Sequence, residues 1–265
     1  MMPTPNVILL SFNTSRATAT SAGVTPFSAF LATYRLVLGR LTKVENPLVG
    51  TIVSNRLSAE LERMPGSFAN TVILSGHLDP EASYAAMIGA AHDRALQAFA
   101  HQSVPFEILV EELSRAPQIR ALFVFHARPV FSASAWGGLS IKRRIHGGLI
   151  TNLDFDATVT DTGEGFEIEL AYDSESIEPM RARLVLDAWM NALDRGVADP
   201  GASAAKLIDG LAAPVARDAS PPTTRIATRA KAAETMSEIE RSLAAIFREI
   251  TGHPDPAPHD NFFDI

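Results

Sequence analysis

The sequence predicts a mixed α/β layer structure, and three observations predict it. Short β-rich apolar segments alternate with stretches whose apolar residues recur every three or four positions. One segment, FDATVTDTGEGFEIELAYD, alternates strictly on both sides of a glycine turn, the pattern of an antiparallel hairpin. Both kinds of pattern fade near Gly196, where an Ala-, Pro-, Thr- and Ser-rich stretch of weak periodicity begins.

The first strand is expected over Asn6 to Phe12. Its apolar run of four residues, with no basic segment before it, fits neither a secretory leader nor a membrane span. Thr25 is a plausible N-cap and Pro26 suits the first helical position; Phe27, Phe30, Leu31, Tyr34, Leu38 and Leu41 then form one buried helix face. Leu48 to Ser54, bounded by Pro47 and by Asn55-Arg56, and Asn70 to Ser75 read as core strands. Asp79-Pro80-Glu81 opens a second helix, with Tyr84, Ile88, Ala91, Ala95 and Phe99 on one side, ending near His101. Pro105 starts a short helix carrying Phe106, Leu109, Val110 and Leu113, with Glu111 and Glu112 facing outward. Ala121 to Ala127 is the next buried strand.

The hairpin follows, with Phe155, Ala157 and Val159 on one arm and Phe166, Ile168, Leu170 and Tyr172 on the other, so one face is buried and one is wet. Ser174 or Ser176 is expected to cap a helix through Ile177, Met180, Leu184 and Ala188 that ends near Asp194-Arg195-Gly196. Residues 1–195 thus form one domain and 196–233 a linker, with a helical patch near Leu207 to Leu211. A capping box, Ser237 to Glu240, begins an amphipathic helix with Ile239, Leu243, Ile246, Phe247 and Ile250. Residues 234–265 supply that helix and a loop, too little chain to bury a core.

Composition narrows the function. A net charge of -7, with no Lys/Arg run, gives no electrostatic footprint for nucleic acid or an anionic membrane. Cysteine is absent, which excludes disulfides, thiolate nucleophiles and Cys-ligated zinc and fits a cytoplasmic protein. The seven histidines, at 77, 92, 101, 126, 146, 253 and 259, show no metal-ligand spacing. No phosphate-cradling glycine loop or nucleophile elbow occurs.

Two stretches carry polar groups where they could act. In GSFANT, Asn70 and Thr71 could hydrogen-bond an amide-containing ligand or equally satisfy backbone groups at a strand entrance. In HQSVPFE, His101 ends a helix, where an imidazole meets unpaired carbonyls and the negative end of the dipole, and this structural role is favoured over a catalytic one. Asp154 and Asp156 flank Phe155 and mark the solvent face of a strand rather than an acid/base pair.

The order of the segments says more than any one of them. GVTPFSAFLATYRLVLGRLT, PLVGTIVSNR, MPGSFANTVILS and AFAHQSVPFEILVEEL together resemble the C-terminal half of the condensation domain of nonribosomal peptide synthetases. Gly66, Phe68, Asn70 and Thr71 match the family's glycine-phenylalanine-x-asparagine-threonine motif. His101, Gln102, Pro105, Phe106 and Glu107 match its His/Asn-Gln-Asp-x-Pro-Phe-Glu motif, with Ser103 in place of the aspartate. Arg115, and approximately Arg120, stand where the family has an Arg-Asp-x-x-Arg-like stretch. The tail, MSEIERSLAAIFREITG with HDNFFDI, is similar to the first helix and loop of a peptidyl carrier domain, and the sequence ends before the family's Gly-Gly-x-Ser.

The resemblance implies a chloramphenicol-acetyltransferase-like lobe, a mixed sheet with flanking helices, followed by a linker and a single carrier-type helix. In the family two such lobes face each other across a tunnel, and the N-terminal lobe carries an HHxxxDG motif linked to amide-bond formation. That motif is absent here, so the resemblance implies half a condensation site, inactive alone, that works with a chain carrying the other lobe. No cofactor would be bound covalently; 4'-phosphopantetheine would be presented by partner carrier domains. Gly66, Phe68, Asn70, Thr71, His101, Gln102, Pro105 and Phe106 would shape the substrate tunnel, and no catalytic or metal-ligating residue is expected. The alternative is a non-catalytic module that docks a carrier or another partner.

Overall fold

The computed structural model describes residues 7–12, 24–112, 119–127 and 153–211. The chain divides into two units, Met1–Ala216 and Arg217–Ile265, and every described residue belongs to the first. The expected helix from Ser237, and Arg115 and His146, lie outside the described residues.

Six strands build one sheet: β1 Val7–Phe12, β2 Val49–Val53, β3 Asn70–Leu74, β4 Ala121–His126, β5 Phe155–Asp161 and β6 Phe166–Tyr172. Their order is β1-β6-β5-β4-β2-β3. The β2/β4 and β4/β5 pairs are parallel and the rest antiparallel, so the sheet is mixed as expected. The helices are α1 Pro26–Thr42, α2 Ala59–Arg63, α3 Tyr84–Phe99, α4 Phe106–Glu112, α5 Pro179–Ala198 and α6 Ala204–Leu207.

Period-two alternation along β4 to β6 turns Phe123, Phe155, Ala157, Val159, Ile168 and Leu170 into the core. There they meet α1 and α5 around Trp189, which is fully buried. Its indole N–H donates to Phe30 O at 3.0 Å and Thr33 Oγ1 at 3.1 Å, and its ring lies 4.7 Å from that of Tyr34 and 6.1 Å from that of Phe123. A buried indole with a satisfied N–H fixes where the two helices cross. The Tyr34 hydroxyl has no hydrogen-bond partner among the described residues; burial, and secondarily the charges of Asp156 and Asp154, push its pKa well above the ordinary value.

Several helix boundaries differ from the sequence reading. Helix α3 begins at Tyr84, because Ser83 Oγ accepts the Ala86 N–H at 3.2 Å, while Asp79 instead accepts the Glu81 N–H in a local turn. Helix α5 is capped at Glu178 with Pro179 in the first turn, not at Ser174 or Ser176, and runs to Ala198. Its buried face is Ala182, Val185, Leu186, Ala188, Trp189, Ala192, Leu193 and Gly196, whereas Met180 is 77% exposed. The short helix α2, capped by Ser58, was not foreseen.

Residues 196–211, expected to belong to a linker, are part of the folded unit. Gly196 is buried inside α5, and Ala204 and Leu207 of α6 are core residues. Backbone bonds from Tyr84, Ala85, Ala204 and Ala205 zip residues 200–205 onto residues 80–85, which lead into the first turn of α3, at 2.8–3.1 Å.

Candidate functional site

The sheet brings the C-terminal end of β2 and the start of β3 side by side, with Val53 opposite Asn70. The end of the loop between them and the first two residues of β3 together carry the GSFANT motif. Arg56 shapes this loop: its guanidinium donates to Leu61 O, to Met64 O at 2.7 Å and to Gly66 O at 3.1 Å, and lies 4.5 Å from the centre of the Phe68 ring. Gly66 sits at φ 150°, where a side chain is strained, and a Cβ there would meet the Phe68 ring at 3.1 Å. Phe68 is thus stacked between a cation and a backbone that must come close. Sequence reasoning treats Arg56 only as a strand boundary; the one local signal is Asn55 before it, which adopts a left-handed φ of 50°.

Asn70 joins the two motifs. Its Nδ2 donates to Gln102 O at 2.8 Å and Val104 O at 2.7 Å, and its Oδ1 accepts the N–H groups of Phe106 at 3.1 Å and Thr71 at 2.9 Å. Both amide protons and both lone pairs are spent on backbone. The open choice between a ligand and the backbone therefore falls to the backbone: Asn70 locks the turn after α3 and the start of α4 onto the sheet.

That turn is built by short bonds, His101 N–H to Ala98 O, Gln102 N–H to Phe99 O and Val104 N–H to His101 O, each at 3.1 Å. It ends at Pro105, whose carbonyl accepts from Leu109 at 3.3 Å. Ser103 and His101 are exposed, and the His101 ring has no hydrogen-bond partner among the described residues. The structure thus gathers Asn70, Gln102, Pro105 and Phe106 into one cluster with His101 at its surface. Gly66 and Phe68 stand on the adjoining loop, and Thr71 pairs opposite Ile52.

Two charged positions stand apart. Arg120 makes a two-pronged ion pair with Asp154, at 2.8 and 2.9 Å. Burial raises the Asp154 carboxyl above its ordinary pKa while Arg120 opposes that shift, and burial alone raises Asp156. Both carboxylates are partly buried, so the solvent-face reading holds only in part. Arg35, 3% exposed, donates to Pro47 O at 3.1 Å, Asn46 Oδ1 at 2.9 Å and Gly76 O at 2.6 Å, and burial lowers its pKa to about 10. Among the described residues no group of His, Asp and Glu could hold a metal ion, and no helix is long and apolar enough to cross a membrane.

Comparison with known proteins agrees with the motif order. Residues 11–208 match the family model described as Condensation domain. The chain is 29% identical over 199 residues to cyclosporin synthetase simA of Tolypocladium inflatum, covering 72% of this chain and 1% of that protein. It is also 28% identical over 184 residues to surfactin synthase subunit 1 of Bacillus subtilis (strain 168), covering 67% and 5%. Among solved structures, the first condensation domain of the CDA synthetase superposes with a TM-score of 0.65 at 21% identity, covering 80% of this chain and 48% of that one. The condensation domain from the Monacolin K polyketide synthase MokA gives 0.68 at 20% identity, covering 75% and 48%. The chain therefore spans a few per cent at most of these synthetases and about half of these solved condensation domains. With the fold, the clamp between the two motifs and the family match in agreement, this chain belongs to the condensation-domain family.

Proposed function

We propose that the folded unit is the C-terminal lobe of a peptide-synthetase condensation domain, that a linker follows it, and that residues 234–265 begin a peptidyl carrier domain. In this reading the lobe forms one wall of a tunnel where an amine on one carrier attacks the thioester carbonyl on another. The amide forms, and the phosphopantetheine thiol leaves with the proton. The phosphopantetheine belongs to the carriers, which are this chain's partners in the cytoplasm, and none is attached to the lobe. Gly66, Phe68, Asn70 and Thr71, with His101, Gln102, Pro105 and Phe106, shape the wall, and none of them is catalytic.

The observation that supports this most is the Asn70 clamp. It ties together two motifs 32 to 36 residues apart that the resemblance joins only by order. Amide formation depends on holding two tethered groups in register, an advantage worth up to about 10 kcal/mol, and half a tunnel forfeits most of it. This sequence contains no HHxxxDG motif, so the lobe is expected to be inactive until that motif is supplied by other polypeptide.

The test is amide formation from two loaded carriers, with the chain alone and with a separately produced lobe bearing HHxxxDG. Product only in the mixture is the expected result. Carrier binding with no product in either case would overturn it in favour of a docking module.

A further inference from the structure

At the end of the sheet where β4 and β5 finish and α1 begins, the chain holds a cavity of about 450 Å³ that the condensation reading does not use. Its walls include the rings of Phe27, Phe99 and Phe125 and the side chains of Ala95 and Leu96. The Phe27 ring centre lies 5.8 Å from that of Phe99 and 6.2 Å from that of Phe125, with the planes at 54° and 85°. Rings that meet tilted or edge-on do not cover one another's faces, and all three are only partly buried. The volume is about three times the roughly 150 Å³ that admits benzene in an engineered protein core, room for one ring and a substituent.

The polar side of the cavity is organised around His92. Ser28, fully buried in the first turn of α1, places its Oγ 3.1 Å from His92 Nδ1 and 3.2 Å from Thr25 Oγ1. These bonds fix the ring, while Nε2 has no hydrogen-bond partner among the described residues. Two proton arrangements satisfy the chain of hydroxyls. When Nδ1–H donates to Ser28 and Ser28 to Thr25, Nε2 offers a lone pair; when Thr25 donates to Ser28 and Ser28 to Nδ1, Nε2 carries the proton. Asp161, also on the wall, is committed within the chain, its Oδ1 to the Gly163 N–H at 2.8 Å, and nothing in the ligand is assigned to it.

We propose that this cavity binds a phenol. A hydroxyl both donates and accepts, so it pairs with His92 Nε2 in either arrangement, whereas an ammonium only donates and a carboxylate or an ether only accepts. The uncovered phenylalanine faces take an aromatic ring edge-on, a preferred geometry for such contacts. An apolar wall with a few placed polar groups is the ordinary form of a small-molecule site. The proposal goes beyond the condensation reading and does not depend on it, since binding is read on the chain alone.

The experiment is calorimetric titration of the full chain with 4-methylphenol, 4-methylanisole and toluene, which share one ring and differ in the polar group. 4-Methylphenol is expected to saturate in the millimolar range or tighter, at least about fivefold ahead of the other two. His92→Leu should bring it level with toluene and leave toluene itself within about twofold, with the melting curve confirming the fold. The imidazole nitrogen spectrum of the parent gives a reading that no substitution disturbs: 4-methylphenol should move the His92 Nε2 resonance several-fold further than toluene does. Equal binding of the three probes, no saturation by 4-methylphenol, an advantage that survives His92→Leu, or an unmoved Nε2 resonance would overturn the assignment.

Discussion

At the scale of single residues, the side chain that matters most to the site is the one whose polar capacity is entirely committed. Asn70→Ala would leave the carbonyls of Gln102 and Val104 and the N–H of Phe106 without their partner. The expected cost is about 2–4 kcal/mol, seen as a lower urea midpoint with an unchanged slope. His101→Ala, at an exposed ring without a hydrogen bond among the described residues, should stay within about 0.5 kcal/mol. Asp156 gives a pH-dependent counterpart. Burial raises its carboxyl, so the folded state holds the proton to higher pH than the unfolded chain does. Its contribution to stability falls as pH rises from the unfolded value, about 3.9, through the raised folded one. Asp156→Asn should therefore melt higher than the parent at pH 7, with the gain vanishing below about pH 4; a gain that persisted in acid would show another cause. The motif residues are visible in the sequence, but the role of Asn70 is not, because it lies in bonds to backbone more than thirty residues away.

At the scale of elements, apolar periodicity locates every described strand and nearly every described helix, since burial of one face is what the pattern encodes. It fails where another interaction sets the phase. For α5 the pattern puts Ile177, Met180, Leu184 and Ala188 inside; Ile177 and Ala188 are buried, but Met180 is exposed and Leu184 only partly buried, while Trp189, bonded to Phe30 and Thr33, brings Ala182, Val185 and Leu193 into the core. Gly196 reads as a stop for the same reason a glycine usually is one. It stands within the helix because Tyr84 lies across it: a Cβ there would come to 2.3 Å of the ring. Gly196→Ala should accordingly destabilise by about 1–3 kcal/mol, against the gain of about 1 kcal/mol that alanine brings to an unobstructed helix. Thermal melts of that variant decide it, and the double change with Tyr84→Ala should recover part of the loss, because the obstruction goes with the ring.

For the whole molecule, the question is where the folded unit closes. The hydrophobic cluster reaches Ile208 and Leu211, and α6 buries Ala204 and Leu207 against it. Two sets of bonds hold this strap. Residues 200–205 exchange backbone hydrogen bonds with residues 80–85, and Arg195 donates to the carbonyls of Lys206, Leu207 and Asp209 at 3.0–3.4 Å. Weak periodicity hides the strap in the sequence, because four helical residues cannot display a 3.6-residue repeat. A chain cut after Leu211 keeps the whole cluster and should melt within about 2 °C of the full chain, since Arg217–Ile265 form a separate unit. A chain cut after Ala198 loses a buried leucine worth about 2 kcal/mol and several hydrogen bonds of about 1 kcal/mol each, so its midpoint should fall by roughly 10 °C or more. Equal melting of the two truncations would show that the strap contributes nothing and that the folded unit closes at α5; a loss confined to the shorter chain would set its boundary at Leu211.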